Sequence, residues 1–288
     1  MSAIVNFGSI NIDHVYQVAH FVQPGETLAT LGYDKGMGGK GLNQSVALQR
    51  AGASVIHVGC IGRDDEWMAD QLTKLALDTS AIEKVEQATG HALIQVNQDG
   101  ENCILLHAGA NHALTEQMVD SQLARTDVTW VLLQNETNLI ETIIQKAHAA
   151  GKRIAFNPAP CHANLAKLPL HLIDTLIVNE VEASQLTGLS DLDDALAKLS
   201  QVVKNVVLTM GGDGVKYMGQ AGTFFQSAQR VEVVDTTAAG DTFIGYYLAA
   251  IMQDLSVSDA LAQASRAAAV TVSRKGASSA IPFAHELV

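Results

Sequence analysis

Asp241 ends the run Asp235-Thr236-Thr237-Ala238-Ala239-Gly240 and is followed by Thr242-Phe243. Ile244, Leu248 and Ile251 repeat at helical spacing after it, and Val231, Val233 and Val234 read as an apolar strand before it. The stretch is therefore predicted as a strand-to-helix turn. Small residues at 238–240 leave the N–H groups of a helix start uncovered, which suits a phosphate. A carboxylate beside such a cradle repels an anion unless its task is to take a proton from the attacking group. Phosphoryl transfer meets both conditions, and an N-capping Asp on a small-residue turn meets the sequence as well.

Other polar residues carry two readings each. Asn11 and Asp13 follow a short apolar strand at period-two spacing, as turn residues or as ligands for hydroxyls. Asn179 and Glu182, three apart at a predicted helix start, would hold waters of a Mg²⁺ ion or form a simple cap. Gly211-Gly212-Asp213-Gly214 would let the backbone approach a nucleotide phosphate, or turn a hairpin between Val207 and Val215. Gly36, Gly38 and Gly41 match the dinucleotide fingerprint, with Asp64 at the distance of its ribose acid. However, exposed Tyr33-Asp34-Lys35 precedes them where a buried strand belongs, so no nicotinamide site is expected. P-loop, zinc-protease and Gly-x-Ser-x-Gly patterns are absent.

The elements that must position these residues alternate. Val128–Glu136, Arg153–Pro158, Thr175–Glu182 and Asn205–Thr209 are near-continuous apolar strands separated by helices, the pattern of a parallel sheet covered on both faces. Glu136, Asn157, Asn179, Glu182 and the 211–214 turn fall at the carboxyl ends of strands, the ligand-binding edge of open α/β sheets. Two extended blocks, about 15–33 and 91–107, interrupt the alternation, the second with an Asp99-Gly100 hairpin signal. Together they are expected to form a small β lid on a single α/β domain spanning 1–288.

A net charge of -12 argues against nucleic acid or an anionic membrane as partner. Any nucleotide must then be held by local dipoles and a metal ion. Cys60, Cys103 and Cys161 are widely spaced, so neither a disulfide framework nor a zinc knuckle is indicated, and reduced thiols fit the cytoplasm. No leader pattern or apolar run of spanning length occurs.

The chain resembles the ribokinase-like (PfkB) family of carbohydrate kinases over essentially its whole length. The resemblance rests on Gly8–His14, Pro24–Thr27, Gly38–Gln44, His107–Asn111, Asn157–Pro160, Asn179–Glu182 and Asp235–Phe243. It implies a three-layer fold with a mostly parallel central sheet plus a β lid, and ATP-dependent phosphorylation of a primary sugar hydroxyl, with D-ribose at O5 expected first. Another sugar or a nucleoside is the alternative within the class. A catalytically weak sugar- or nucleotide-binding regulator is the alternative outside it, and an intact Asp241 argues against that.

By the same resemblance Asp241 is the base, and the backbone at Ala238, Ala239 and Gly240 is the anion hole. Asn11, Asp13, Gly39, Lys40, Asn43 and Glu136 hold the sugar, together with Asp241. Asn179, Thr209, Gly211, Gly212, Gly214 and Gly240 meet ATP, and Asn179 with Glu182 is linked to Mg²⁺. Asp235, Thr237, Thr271, Arg274 and Gly276 would hold a monovalent cation, K⁺, several by backbone carbonyl. The lid implies a homodimer. The chain departs from the family pattern at Ala280, where the cation site often has a hydroxyl, at Ser265 and Asp213 near the nucleotide, and at Ile12 between the sugar ligands.

Overall fold

The computed structural model describes residues 2–161, 165 and 167–287. In chain order the elements are β1 (Ala3–Phe7), β2 (Asn11–Gln17), β3 (Gly32–Gly38), α1 (Lys40–Arg50), β4 (Ser54–Gly62), α2 (Glu66–Lys74), β5 (Ile82–Val85), β6 (Gly90–Val96) and β7 (Asn102–His107). There follow α3 (Glu116–Leu123), β8 (Val128–Gln134), α4 (Ile140–Ala149), β9 (Arg153–Asn157), β10 (Thr175–Asn179), α5 (Glu180–Thr187), α6 (Leu192–Ser200) and β11 (Asn205–Thr209). The last are β12 (Val215–Gly219), β13 (Gly222–Gln226), α7 (Ala239–Met252) and α8 (Val257–Val272).

A nine-stranded sheet runs β13-β12-β11-β10-β9-β8-β1-β4-β5, parallel from β11 to β5, with β12 and β13 antiparallel at one edge. Its strands are apolar on both faces because both are covered. Val5, Phe7, Val131, Leu133, Leu176, Val178, Val206 and Leu208 pack with α3 to α6. Ile4, Leu132, Ile177 and Val207, one residue out of step, pack with α1, α2, α7 and α8. That period-two division makes the three layers, as the family resemblance implied.

A second sheet, ordered β3-β2-β6-β7, stands apart from the first. The Asp99-Gly100 hairpin joins β6 and β7 as the sequence suggests, with Val96 opposite Asn102. Of the extended block at about 15–33, residues 27–31 are not a strand, and Leu31 is exposed. Instead the glycine-rich Gly32–Gly38 segment pairs with β2, setting Asn11 opposite Gly38 and Asp13 opposite Gly36.

The run before Asp235 is not the strand predicted for it. Val231, Val233 and Val234 form no strand and are exposed. Their β-branched side chains favour a strand only where a neighbouring strand and a covering layer exist, and here the sheet ends with β13. The segment is tied instead to the end of α8, where the Val272 carbonyl accepts the N–H groups of Val234 and Asp235. Among the described residues no helix is long and apolar enough to cross a membrane.

Candidate active site

The turn into α7 has the uncovered helix start that the small residues predict. Ala238 takes the left-handed conformation (φ 61°) as N-cap, and no side chain caps the helix. A non-glycine residue held there is strained, as functional turns often are. Among the described residues the N–H groups of Gly240 and Asp241 have no acceptor, so they and the helix dipole open onto solvent. Asp241 lies in this first turn.

Both oxygens of Asp241 are gripped from α1. Asn43 Nδ2 donates to Oδ2 at 3.0 Å and Gln44 Nε2 to Oδ1 at 2.9 Å. The grip depends on how closely α1 approaches the end of β1. Gly39 starts the helix at φ 99°, which disfavours side chains, and a Cβ on Gly41 would fall 2.3 Å from the Ser9 nitrogen. Glycines here let the helix start meet the strand end.

Carboxylates and amides also gather at the start of α1 around Glu136. Ser9 Oγ and the Lys40 N–H both donate to Glu136 Oε2. Asn111 Nδ2 donates to Asn11 Oδ1 at 2.7 Å, which turns the Asn11 amino group outward as a donor. Burial, and then the nearby Glu136 carboxylate, push the Asp13 carboxyl up to about 6. Burial likewise raises Glu136, against the opposing pull of Lys40. Burial by itself would lower Lys40, but Asp241, Glu136 and Glu182 together outweigh it and hold the ammonium above its ordinary value. Lys40 is thus held as a cation by the carboxylates of Asp241, Glu136 and Glu182.

A cavity of about 220 Å³ opens at the carboxyl ends of β9 to β11, lined among others by Lys40, Asn179, Glu182, Thr209, Gly240 and Asp241. Asn179 and Glu182 form a reciprocal capping box, so the simple cap is part of the answer. Glu182 is nonetheless buried and borders the cavity.

Residues 1–284 match the pfkB family carbohydrate kinases. The chain is 38% identical to a ribokinase of Haemophilus influenzae, with 97% of this chain and 95% of that protein covered. The chain belongs to the pfkB family of carbohydrate kinases. It is a phosphotransferase with an alcohol group as acceptor. Among solved structures, the ADP complex of Cryptococcus neoformans ribokinase matches this pfkB kinase with a TM-score of 0.86 at 32% identity, covering 100% of this chain and 99% of that one. Arabidopsis thaliana ribokinase complexed with ribose and ATP matches with a TM-score of 0.86 at 26% identity, covering 99% and 97%.

In this pfkB kinase the remaining predicted residues divide. Gly211–Asp213 is a tight turn in the β11–β12 hairpin, closed by Met210 N–H to the Gly214 carbonyl, so the hairpin alternative is realised, with Gly211 and Gly212 exposed at the sheet end and Gly214 buried. Asp235 Oδ1 accepts from the Thr237 N–H and hydroxyl, and Oδ2 from the Gly276 N–H. Despite the opposing effect of burial, these bonds hold the carboxyl below its ordinary value. The Thr271 hydroxyl is buried against Thr242 and the Ala267 carbonyl, and the Arg274 guanidinium pairs with Glu286. Only the main chain of 271 and 274 is left for a cation.

Two residues around the site, Asn6 and Gln134, lie outside every motif segment, and both are buried. Ser9, Gln44 and Asn111 lie within motif segments without having been assigned a role, and Ser9 holds Glu136. The signal at Asn6 and Gln134 was the polar interruption of an apolar strand, since a buried amide requires partners.

Proposed function

We propose that this pfkB kinase transfers the γ-phosphoryl group of ATP to a primary hydroxyl of a small sugar, D-ribose at O5 first, yielding D-ribose 5-phosphate. The observation that carries the reading is the carboxylate of Asp241, held by two neutral amides beside an uncapped helix start. Neutral donors orient the carboxylate and leave lone pairs on both oxygens for the incoming proton. The names and ligands of the relatives point to the same sugar and nucleotide.

In this reading Asn11, Asp13, Gly39, Lys40, Asn43 and Glu136 hold the sugar hydroxyls and present one to Asp241. Asp241 takes the hydroxyl proton as the sugar oxygen attacks the γ-phosphorus, and the bond to the β-phosphate oxygen breaks. The backbone turn at Ala238, Ala239 and Gly240, with the free N–H groups of Gly240 and Asp241, faces the charge on the transferring group, while the Ala239 N–H is held by the Thr236 carbonyl. Phosphoryl transfer depends mainly on positioning and charge stabilisation, and these are what the turn supplies. Asn179, Thr209, Gly211, Gly212 and Gly214 border the nucleotide.

A buried carboxylate beside a phosphate cavity suits Mg²⁺, which prefers oxygen ligands, keeps several waters and borrows phosphates. Glu182 and Asn179 would hold its waters, and bound there it would neutralise phosphate charge. For K⁺, the Asp235 carboxylate and the main-chain carbonyls of 237, 271, 274 and 276 are a fitting oxygen set, and bound there it would brace the loop ahead of Ala238.

We take the four-stranded sheet as the lid of one domain over 1–288, its closure keeping water from the phosphoryl group. The exposed Tyr33, Leu93, Ile104, Leu105 and Leu106 on it, with Leu31 beside it, support a homodimer formed through the lids. Reduced cysteines and the acidic surface fit a cytoplasmic enzyme with neither nucleic acid nor membrane as partner. The deciding experiment is an ADP-release screen across pentoses, hexoses and nucleosides, with the phosphorylated position read by ³¹P NMR. D-ribose is expected to give the highest kcat/KM with the phosphate on O5. A maximum at deoxyribose, a ketohexose or a nucleoside would overturn the ribose assignment, and no sugar-dependent ADP release would overturn the kinase reading.

A further inference from the structure

Beneath Asp241 lies a chain of buried amides whose directions are all forced. Asn6 Nδ2 donates to the Gly41 carbonyl at 2.8 Å and to Ser45 Oγ. A carbonyl only accepts, so the Asn6 amino group must face it and its Oδ1 must face Gln134. Gln134 Nε2 donates to that Oδ1 at 3.0 Å and to Gln44 Oε1 at 2.7 Å. Gln44 is thereby left with its Nε2 toward Asp241 Oδ1, at 2.9 Å, and toward Asn157 Oδ1, at 3.2 Å. The far end is anchored in the same way, since Asn157 Nδ2 donates to the Ile177 carbonyl. Two main-chain carbonyls, one at each end, thus dictate which face of every amide in between points where.

The arrangement is kept at a cost. Asn6, Gln44 and Gln134 are 0–1% exposed, and Gln134 Oε1 has no hydrogen-bond partner among the described residues. An apolar side chain at 134 would avoid that orphaned acceptor. What the orphan secures is a Gln134 amino group serving two acceptors at once, and through it an N–H aimed at the carboxylate of Asp241.

We propose that Gln44 and Gln134 are positioning residues for phosphoryl transfer, holding Asp241 in a single orientation through amide directions set at the Gly41 and Ile177 carbonyls. The proposal rests on the reading of Asp241 as the base. Gln44 differs here from Asn43, its neighbour on the same carboxylate and a predicted sugar ligand. Gln44 turns to the protein interior, so its loss is felt in turnover and not in sugar binding. Neutral amides suit the task because they orient the carboxylate without neutralising it, as a lysine or arginine would.

The test is a double-mutant cycle on kcat and KM. Gln44→Met, of similar length and without hydrogen-bonding groups, is expected to lower kcat about tenfold to hundredfold, the loss typical for one hydrogen bond to a charged group. The KM values for sugar and ATP are expected to stay within about twofold. In an Asp241→Asn background the same change is expected to cost less than about twofold, because the group it orients is gone. A role in folding alone would instead add its loss in both backgrounds. Unchanged kcat in Gln44→Met, or an equal loss with and without Asp241, overturns the proposal. If Asp241→Asn by itself keeps normal turnover, the base reading fails, and it fails separately. Should Gln44→Met not fold, position 134 decides. Gln134→Glu, which cannot donate to Gln44 and turns its amide around, is expected to lower kcat more than Gln134→Met. The reverse order overturns the proposal.

Discussion

Asn43 and Asp241 lie 198 residues apart and meet at 3.0 Å, amide to carboxylate, where the first turns of α1 and α7 converge. The glycine-rich segment near the N-terminus and the small-residue turn near the C-terminus therefore build one site. Replacing the carboxylate with an amide keeps the size of the side chain and removes its basicity. Asp241→Asn is expected to retain sugar binding by calorimetry while kcat falls by about 10²- to 10⁴-fold, the range for a positioned base. Near-normal turnover would remove Asp241 from that role.

Asp13 predicts a pH dependence in sugar binding. Burial and then the Glu136 charge push its carboxyl up to about 6, so it loses its charge as the pH falls through that value. A protonated carboxyl has less capacity to accept from sugar hydroxyls. The KM for sugar is expected to rise below pH 6 and to level off above it, and Asp13→Asn is expected to remove that step. An unchanged profile in the variant would assign the titration to another group.

Asn111 touches Asn11 and not the predicted base, so it separates binding from chemistry. Without its amino group on Asn11 Oδ1, the Asn11 amide is free to turn, and its donor no longer faces outward. Asn111→Ala is expected to raise the KM for sugar about threefold to tenfold, with a smaller effect on kcat, given about 1 kcal/mol for a neutral hydrogen bond. Steady-state kinetics with ATP saturating would read this, and a loss confined to kcat would contradict it.

His57 couples the site's scaffold to stability. Complete burial lowers its imidazole to about 4, with the Gly8 carbonyl opposing in part. The folded pKa is depressed for a cation, so the unfolded chain binds the extra proton first. The stability that the neutral imidazole provides is whole above pH 6.5 and is lost as the pH falls from there toward 4. The advantage of the native protein over His57→Gln in urea unfolding is expected to shrink by about 3 kcal/mol between pH 7 and pH 4. Taking the difference removes groups that titrate alike in both proteins, and a constant difference would show that the imidazole takes its proton as readily in the fold as in the unfolded chain.

The loop at Asp235 predicts a cation effect. Its carboxylate already gathers Thr237 and Gly276, which brings the lead-in to α7 against the segment after α8. K⁺ is expected to raise kcat over Na⁺ at equal ionic strength, and Asp235→Asn to abolish the difference. Equal activity across a cation titration would show that the protein's own hydrogen bonds suffice to hold this loop.

What the sequence determined by itself was local. Apolar runs at 128–134, 153–157, 175–179 and 205–209 specify buried parallel strands, because a strand covered on both faces has no polar side to show. Ala238–Gly240 and Asp241 specify an uncapped helix start with a carboxylate, because backbone exposure there follows from residue size. The tertiary structure decided whatever depends on neighbours distant in the chain. The valines at 231–234 had strand propensity but no strand to pair with, whereas Gly32–Gly38 had little and acquired β2 as a partner. Likewise, which oxygen of Asp241 meets Asn43 and which meets Gln44 is set by how α1, β1 and β8 come together, since the direction of a buried amide follows from the acceptors around it and not from its own identity.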